Sequence, residues 1–146
     1  METKSNTVAV RAKGLPVSTK MSIEVCDNIR HKNLSTARRI LNDVLSMKRA
    51  LPIGRFNHDL CHKPGMAAGR YPLSTASHFL KLVNSLEKNA ENKGLNTKNL
   101  VITFAKADRG ERRIKASRRG RACAKNTHIE LHAEERSSEK KWLKEK

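Results

Sequence analysis

Thirty-one Lys and Arg against fourteen Asp and Glu leave a formal charge of +17 on 146 residues, a length suited to one domain and hardly to two. No run approaches the roughly 18 consecutive apolar residues of a membrane-spanning helix, and the first twenty residues carry no apolar block before a small-residue cleavage site, so a soluble intracellular protein is expected. Cys26, Cys61 and Cys123 are odd in number and form no C-x-x-C pair, which excludes a disulfide framework and a zinc ribbon and fits reduced thiols.

So large an excess of one sign repels itself unless a polyanion neutralises it, and nucleic acid is the leading polyanion. Hydrophobic residues make up 37% of the chain, yet the only aromatics are Phe56, Tyr71, Phe79, Phe104 and Trp142, so the core must be mostly aliphatic.

In chain order, Val8 and Val10 alternate with Thr7, Ala9 and Arg11 as in an edge strand, which Gly14 and Pro16 stop. Ser18 or Thr19 caps a first helix, predicted over 19–31, with Met21, Val25 and Ile29 on one face and Arg30, His31 and Lys32 at its C-terminal end. Asn33 or Ser35 opens a second helix, in which Leu34, Ala37, Ile40, Leu41, Val44 and Leu45 follow the amphipathic spacing while Arg38, Arg39 and Asn42 face away.

From Lys48 to Tyr71 the periodicity vanishes and Pro52, Gly54, Pro64, Gly65 and Gly69 accumulate. Structureless stretches of this length are usually functional or disordered. Lys48, Arg49, Arg55, Lys63 and Arg70 face only Asp59 here, so the 48–72 segment reads as a basic loop laid along an anion. Pro72 and Ser74 then start a third helix carrying Phe79, Val83, Leu86 and Ala90 on one face, supported by Leu80 and Leu82 and terminated by Gly94.

The run Leu100 to Lys106 is rich in β-branched residues, and Thr127, Ile129, Leu131 and Ala133 alternate with His128, Glu130 and His132, giving two strands with one solvent-facing side. Between them, residues 106–125 hold six Arg and three Lys against two acids. No two-residue turn joins strands so far apart, whereas a β-ribbon extended beyond the sheet carries its cations out to where a polyanion can surround them. Arg outnumbering Lys favours bidentate phosphate contacts and stacking. Because the charge lies on loop and ribbon and not on a recognition helix, RNA is favoured over duplex DNA. After Ala133 the 134–146 tail mixes both signs and reads as solvated.

Two other chemistries have less support. His58, Cys61 and His62 form H-x-x-C-H, but a structural zinc site wants four ligands and no second pair lies at a matching spacing, so the expectation is a surface turn in which His62 and Lys63 contact phosphate. The acids Glu24, Asp27, Asp43, Asp59 and Glu87 form no paired motif, G-x-S-x-G, H-E-x-x-H and GK[ST] do not occur, and the glycines of GMAAGR lack the following Lys-Ser/Thr of a P-loop; no enzyme is expected. The alternative from another class is a DNA-bending architectural protein that uses a basic β-arm as a minor-groove clamp, for which Ile114 is the only candidate wedge.

Four blocks of the sequence, PIGRFNHDLCHKPGMAAGRYP at 52–72, SLEKNAENKGLNTKNLVI at 85–102, RRIKASRRGRA at 112–122 and NTHIEL at 126–131, resemble the large-subunit ribosomal protein L twenty-two family, which is seventeen in the eukaryotic count. The HKPG and GRYP elements resemble its archaeal and eukaryotic branch, here in an archaeal-type form. The resemblance implies an α/β (α+β) domain of three helices packed on a small three-stranded antiparallel sheet, with a long protruding basic β-hairpin at 100–133. It implies a cytoplasmic structural constituent of the large ribosomal subunit, with large-subunit rRNA, neighbouring ribosomal proteins and, in passing, the nascent chain as partners. Neither DNA nor a membrane is expected as a partner, and no cofactor beyond magnesium ions associated with the rRNA. The hairpin would line the peptide exit tunnel with a tip at Ile114, Lys115, Ala116, Ser117, Arg118, Arg119 and Gly120. The expected RNA contacts are Lys48, Arg49, Arg55, His62, Lys63 and Arg70 in the loop, and Lys106, Arg109, Arg112, Arg113, Lys115, Arg118, Arg119, Arg121 and Lys125 in the arm. One departure stands out: where the family tip often carries an aromatic and a proline after the paired arginines, this chain has Ile114, Lys115 and Ala116.

Overall fold

Alternating residues at both ends of the chain meet in one sheet. In a computed structural model, which describes residues 6–136 apart from 112 and 119, strand β1 (Thr7–Leu15) pairs antiparallel with β7 (Thr127–Glu135), and β7 pairs antiparallel with β4 (Leu100–Arg109). The order is β1-β7-β4, so the first strand does lie at an edge and the last one fills the centre. The period-two pattern dictates this: Thr127, Ile129, Leu131 and Ala133 are buried on one face of β7, while His128, Glu130 and His132 stay half-exposed on the other. β1 runs one residue beyond Gly14, through a register shift between Ala12 and Leu15, because the Gly14 N–H bonds His128 Nδ1 at 3.0 Å in place of a ladder carbonyl.

Three helices cover the apolar face: α1 (Thr19–Ile29), α2 (Leu34–Leu45) and α3 (Leu73–Asn92). Their apolar stripes, including Val25 and Ile29 of α1, Leu41 and Val44 of α2 and Phe79 and Leu86 of α3, pack with Ile102, Ile129 and Leu131 into one core. Phe79 is its one buried aromatic among the described residues, in keeping with the aliphatic composition. The Leu95 N–H bonds the Ala90 carbonyl at 3.0 Å and the Gly94 N–H the Glu91 carbonyl at 2.9 Å, the paired closure that a residue at φ 72° permits, so Gly94 terminates α3 as its position suggested.

Three local readings change. α1 stops at Ile29 and not at residue 31, because His31 takes φ 62° and the chain turns to face the open edge of β4. There the His31 N–H bonds the Ile102 carbonyl at 2.7 Å, the Ile102 N–H bonds the Lys32 carbonyl at 3.0 Å, and Arg30 Nη2 takes the Ala105 carbonyl at 2.7 Å, which shields an otherwise unpaired strand edge. Arg38 does not face away: it bonds Asn84 Oδ1 at 3.0 Å and pairs with Glu87, tying α2 to α3. β7 continues two residues past Ala133, to Glu135.

Candidate nucleic-acid interface

The basic loop is not an open string. Leu51–Pro52 (β2) and Gly69–Arg70 (β3) pair antiparallel at its base, the Ile53 N–H reaches the Ala68 carbonyl at 3.0 Å, and Lys63 bridges Met66 at its far end. Leu51 and Ile53 are buried, so the base of the loop belongs to the body. Glu24 holds it there: from inside α1, only 3% exposed, it accepts the Gly54 N–H at 2.9 Å and the Arg55 N–H at 2.8 Å, one on each carboxylate oxygen. A carboxylate taking two backbone donors is a strong way to satisfy a buried charge. In sequence Glu24 is one scattered acid among several, and only the tertiary approach of residues 54 and 55 reveals its role.

Lys48, Arg49, Arg55, His62, Lys63 and Arg70 are all exposed. Arg55 Nε lies 3.7 Å from Asp27 Oδ2, and the Lys63 ammonium sits 5.9 Å from the centre of the Tyr71 ring. His62 has a structural duty that the phosphate-contact expectation omitted: Nδ1 donates to the Ala67 carbonyl and stiffens the turn. Cys61 is exposed, and among the described residues no three His, Cys, Asp or Glu side chains converge as a metal site would need.

The arm grows directly from the sheet. After Arg109↔Thr127, the last pair of β4 and β7, the Gly110 N–H bonds the Asn126 carbonyl at 2.9 Å and Asn126 Nδ2 bonds the Glu111 carbonyl at 3.0 Å. The ladder resumes as β5 (Arg113–Ser117) against β6 (Gly120–Ala124), starting at Arg113↔Ala124. The ladder is thus interrupted between Arg109↔Thr127 and Arg113↔Ala124, where the arm leaves the body. Gly110 is required at this joint, since a Cβ there would stand 2.7–2.8 Å from the Asn126 amide. Ser117↔Gly120 closes the hairpin, and Gly120 has φ 105°.

Lys106, Arg109, Arg118 and Lys125 are exposed along this path, as are Ile114 and Ala116, and Lys106 pairs with Asp108 at 2.9 Å. For Arg113, Lys115, Ser117 and Arg121 the strand backbone is described, whereas Arg112 and Arg119 lie outside the described residues, as does the tail from 137 on with Trp142.

Loop and arm meet at one place. A cleft of about 430 Å³ opens between the N-terminus of α1, Phe56 of the loop and the arm root at Arg109–Glu111 and Cys123–Asn126. Thr127 fixes its geometry: buried, it donates its hydroxyl to the Val17 carbonyl at 2.9 Å and receives Thr19 Oγ1 at 2.8 Å, binding the start of α1 to the start of β7.

Comparison with known proteins agrees with this architecture. The family model described as ribosomal protein L22p/L17e matches residues 10–133. Among curated archaeal relatives, the large ribosomal subunit protein uL22 of Archaeoglobus fulgidus is 43% identical over 112 residues, covering 73% of this chain and 72% of the relative. That of Methanococcoides burtonii is 43% identical over 116 residues, 77% of each. That of Cenarchaeum symbiosum is 40% identical over 126 residues, 82% of this chain and 83% of the relative. With the three helices, the three-stranded sheet and the basic hairpin in place, the chain belongs to the ribosomal protein L22p/L17e family, a family of ribosomal structural proteins and not of enzymes.

Proposed function

We propose that this protein is a structural constituent of the large ribosomal subunit in the cytoplasm, where its loop and arm bind rRNA and its arm runs along the nascent-peptide exit tunnel. The observation that carries the reading is the placement of charge. Residues 106–125 hold +7 and residues 48–70 another +4, so eleven of the seventeen net charges lie in segments with little core of their own. Cations on a ribbon beyond the sheet neutralise phosphates where RNA segments crowd together, and each phosphate neutralised releases condensed counterions. Backbone pairing such as Ile114↔Cys123 and Ala116↔Arg121 lets a thin arm persist where no apolar core follows it. Lys48, Arg49, Arg55, Lys63, Arg70, Lys106, Arg109, Arg118 and Lys125 supply exposed cations for this role, with Arg112, Arg113, Lys115, Arg119 and Arg121 completing the set. At the tip the exposed Ile114 and Arg118 would face the tunnel, together with the rest of 114–120.

Co-sedimentation tests the assignment. In extract of the source cell the protein should run with the large subunit through high-salt gradients; recovery with chromatin instead would favour the DNA-bending alternative and overturn it. A density map of that subunit would locate the tip relative to the tunnel.

A further inference from the structure

We infer that the cleft at the arm root is a built site for one unstacked RNA nucleotide, holding its phosphate among Lys20, Arg109 and Lys125 and its base against Phe56. The inference rests on the RNA-binding reading above and deepens it by naming a specific ligand feature where charge placement names only a polyanion.

The cleft combines the two chemistries that a nucleotide presents. Its apolar side is Val17, Ile23 and the half-buried Phe56, which offers an aromatic face. Its polar rim carries three cations against the single carboxylate of Glu111. An apolar wall with a few convergent polar groups is the usual make-up of a small-molecule site, and about 430 Å³ lies in the range of such sites while being far too small for a duplex.

What separates this cleft from an ordinary crease is that three cations and an aromatic ring line one concavity. Arg55 and Lys106, nearby in the chain, each face a carboxylate of this chain. Lys20, Arg109 and Lys125 have no such ion pair among the described residues, and the Lys20 ammonium instead stands 5.5 Å from the centre of the Phe56 ring. Three cations gathered against one carboxylate leave an excess of positive charge, a cost that a bound phosphate removes. Hydrogen bonds hold its walls together: the Thr127 hydroxyl pair ties α1 to β7, and the Asn126 amide bonds the Glu111 carbonyl across Gly110. Single-stranded RNA is read by unstacked bases set on aromatic side chains, which this arrangement allows at the point where loop and arm converge.

Cys123 makes the proposal measurable without substitution, because it is exposed and lines the cleft, while exposed Cys61 in the loop does not. A short single-stranded oligoadenylate added to the full-length protein should slow alkylation of Cys123 and leave Cys61 unchanged. Phe56→Leu, which keeps apolar bulk without the ring, should weaken oligoadenylate binding by about fivefold or more, and Phe56→Tyr should restore it. Binding of a short duplex RNA should be the same in all three proteins. Unprotected Cys123, or Phe56→Leu binding oligoadenylate like the parent while duplex binding persists, overturns the nucleotide site alone. Failure of the parent to bind either RNA overturns the RNA-binding reading with it.

Discussion

The body and the arm use the same β-ladder for opposite ends. In the body, β4 and β7 cross a sheet whose inner face is sealed by three helices, and Phe79, Ile102, Ile129 and Leu131 are fully buried. Beyond Gly110 and Asn126 the ladder continues as β5 and β6 with nothing packed on it that the described residues reveal, and Ile114 stands 63% exposed. Hydrophobic burial stabilises the body, whereas the arm is held by backbone pairing, and an isolated two-stranded ribbon is marginal in water. Some body cations, such as Arg11, Arg30 and Arg38, are engaged with this chain's own acceptors, while Arg118 and Lys125 of the arm are exposed without an ion pair among the described residues. The body carries a buried core of its own, and on the proposed reading it is RNA that completes the arm.

The strongest way to break the comparison is to remove the arm's charge. Replacing Arg112, Arg113, Arg118 and Arg119 together by Ala should lower rRNA affinity by orders of magnitude. It should also flatten the log–log salt dependence by roughly 0.7–0.9 for each phosphate no longer neutralised. The urea midpoint of the body should stay where it was. An unchanged salt slope would remove the arm from the RNA-binding surface.

Truncating one apolar residue in each region sharpens the contrast from the side of stability. Phe79→Ala empties a fully buried site and should cost about 3–5 kcal/mol, read as a fall in the urea midpoint. Ile114→Ala removes a side chain already in solvent and should stay within about 0.5 kcal/mol. Similar losses in the two variants would mean that the arm has a core of its own.

How much of this was legible from residues alone follows the range of the interactions. The helices and the central strand were readable because their signal is local: the four-residue spacing of Val25 and Ile29, the capping position of Gly94, the strict alternation from Thr127 to Ala133. The register of Thr19 and Thr127 was not, nor the use of His31 and Lys32 to shield β4, since both depend on segments distant in sequence arriving side by side. The loop shows the same divide. Its charge and its prolines and glycines announced an exposed basic segment, while the two-residue ladder at its base and the grip of Glu24 carry no periodic signature.

Glu24 links body and loop, and its removal tests whether they are separable. Glu24→Ala leaves the Gly54 and Arg55 N–H groups without their acceptor and should cost about 1–3 kcal/mol. Because those amides can turn to water once released, the loss should appear as faster amide exchange and proteolysis at 51–56 more than as collapse of the core. Glu24→Gln keeps one acceptor oxygen and should fall between. Protection at 51–56 unchanged in the Ala variant would show that β2–β3 pairing holds the loop by itself.

The smallest effect concerns the solvent face of the sheet and its pH dependence. Glu130 accepts hydrogen bonds from His132 Nε2 at 3.0 Å and Arg11 Nη2 at 2.7 Å, and these two donors, the imidazole first, hold its carboxyl below the ordinary value of 4.5. A carboxylate whose folded value is depressed binds fewer protons folded than unfolded across that interval, so its stabilising contribution is fully present above about 4.5 and is lost as pH falls through the folded value. The urea midpoint of the parent should therefore exceed that of Glu130→Gln at pH 7, and the gap should close on acidification toward pH 3. Solvent screens the exposed pair, so the gap at pH 7 should itself be small and shrink further in high salt. A gap that persisted at pH 3 would show that the carboxylate's charge is not what Arg11 and His132 recognise, and that the cross-strand pairing between β1 and β7 rests on packing.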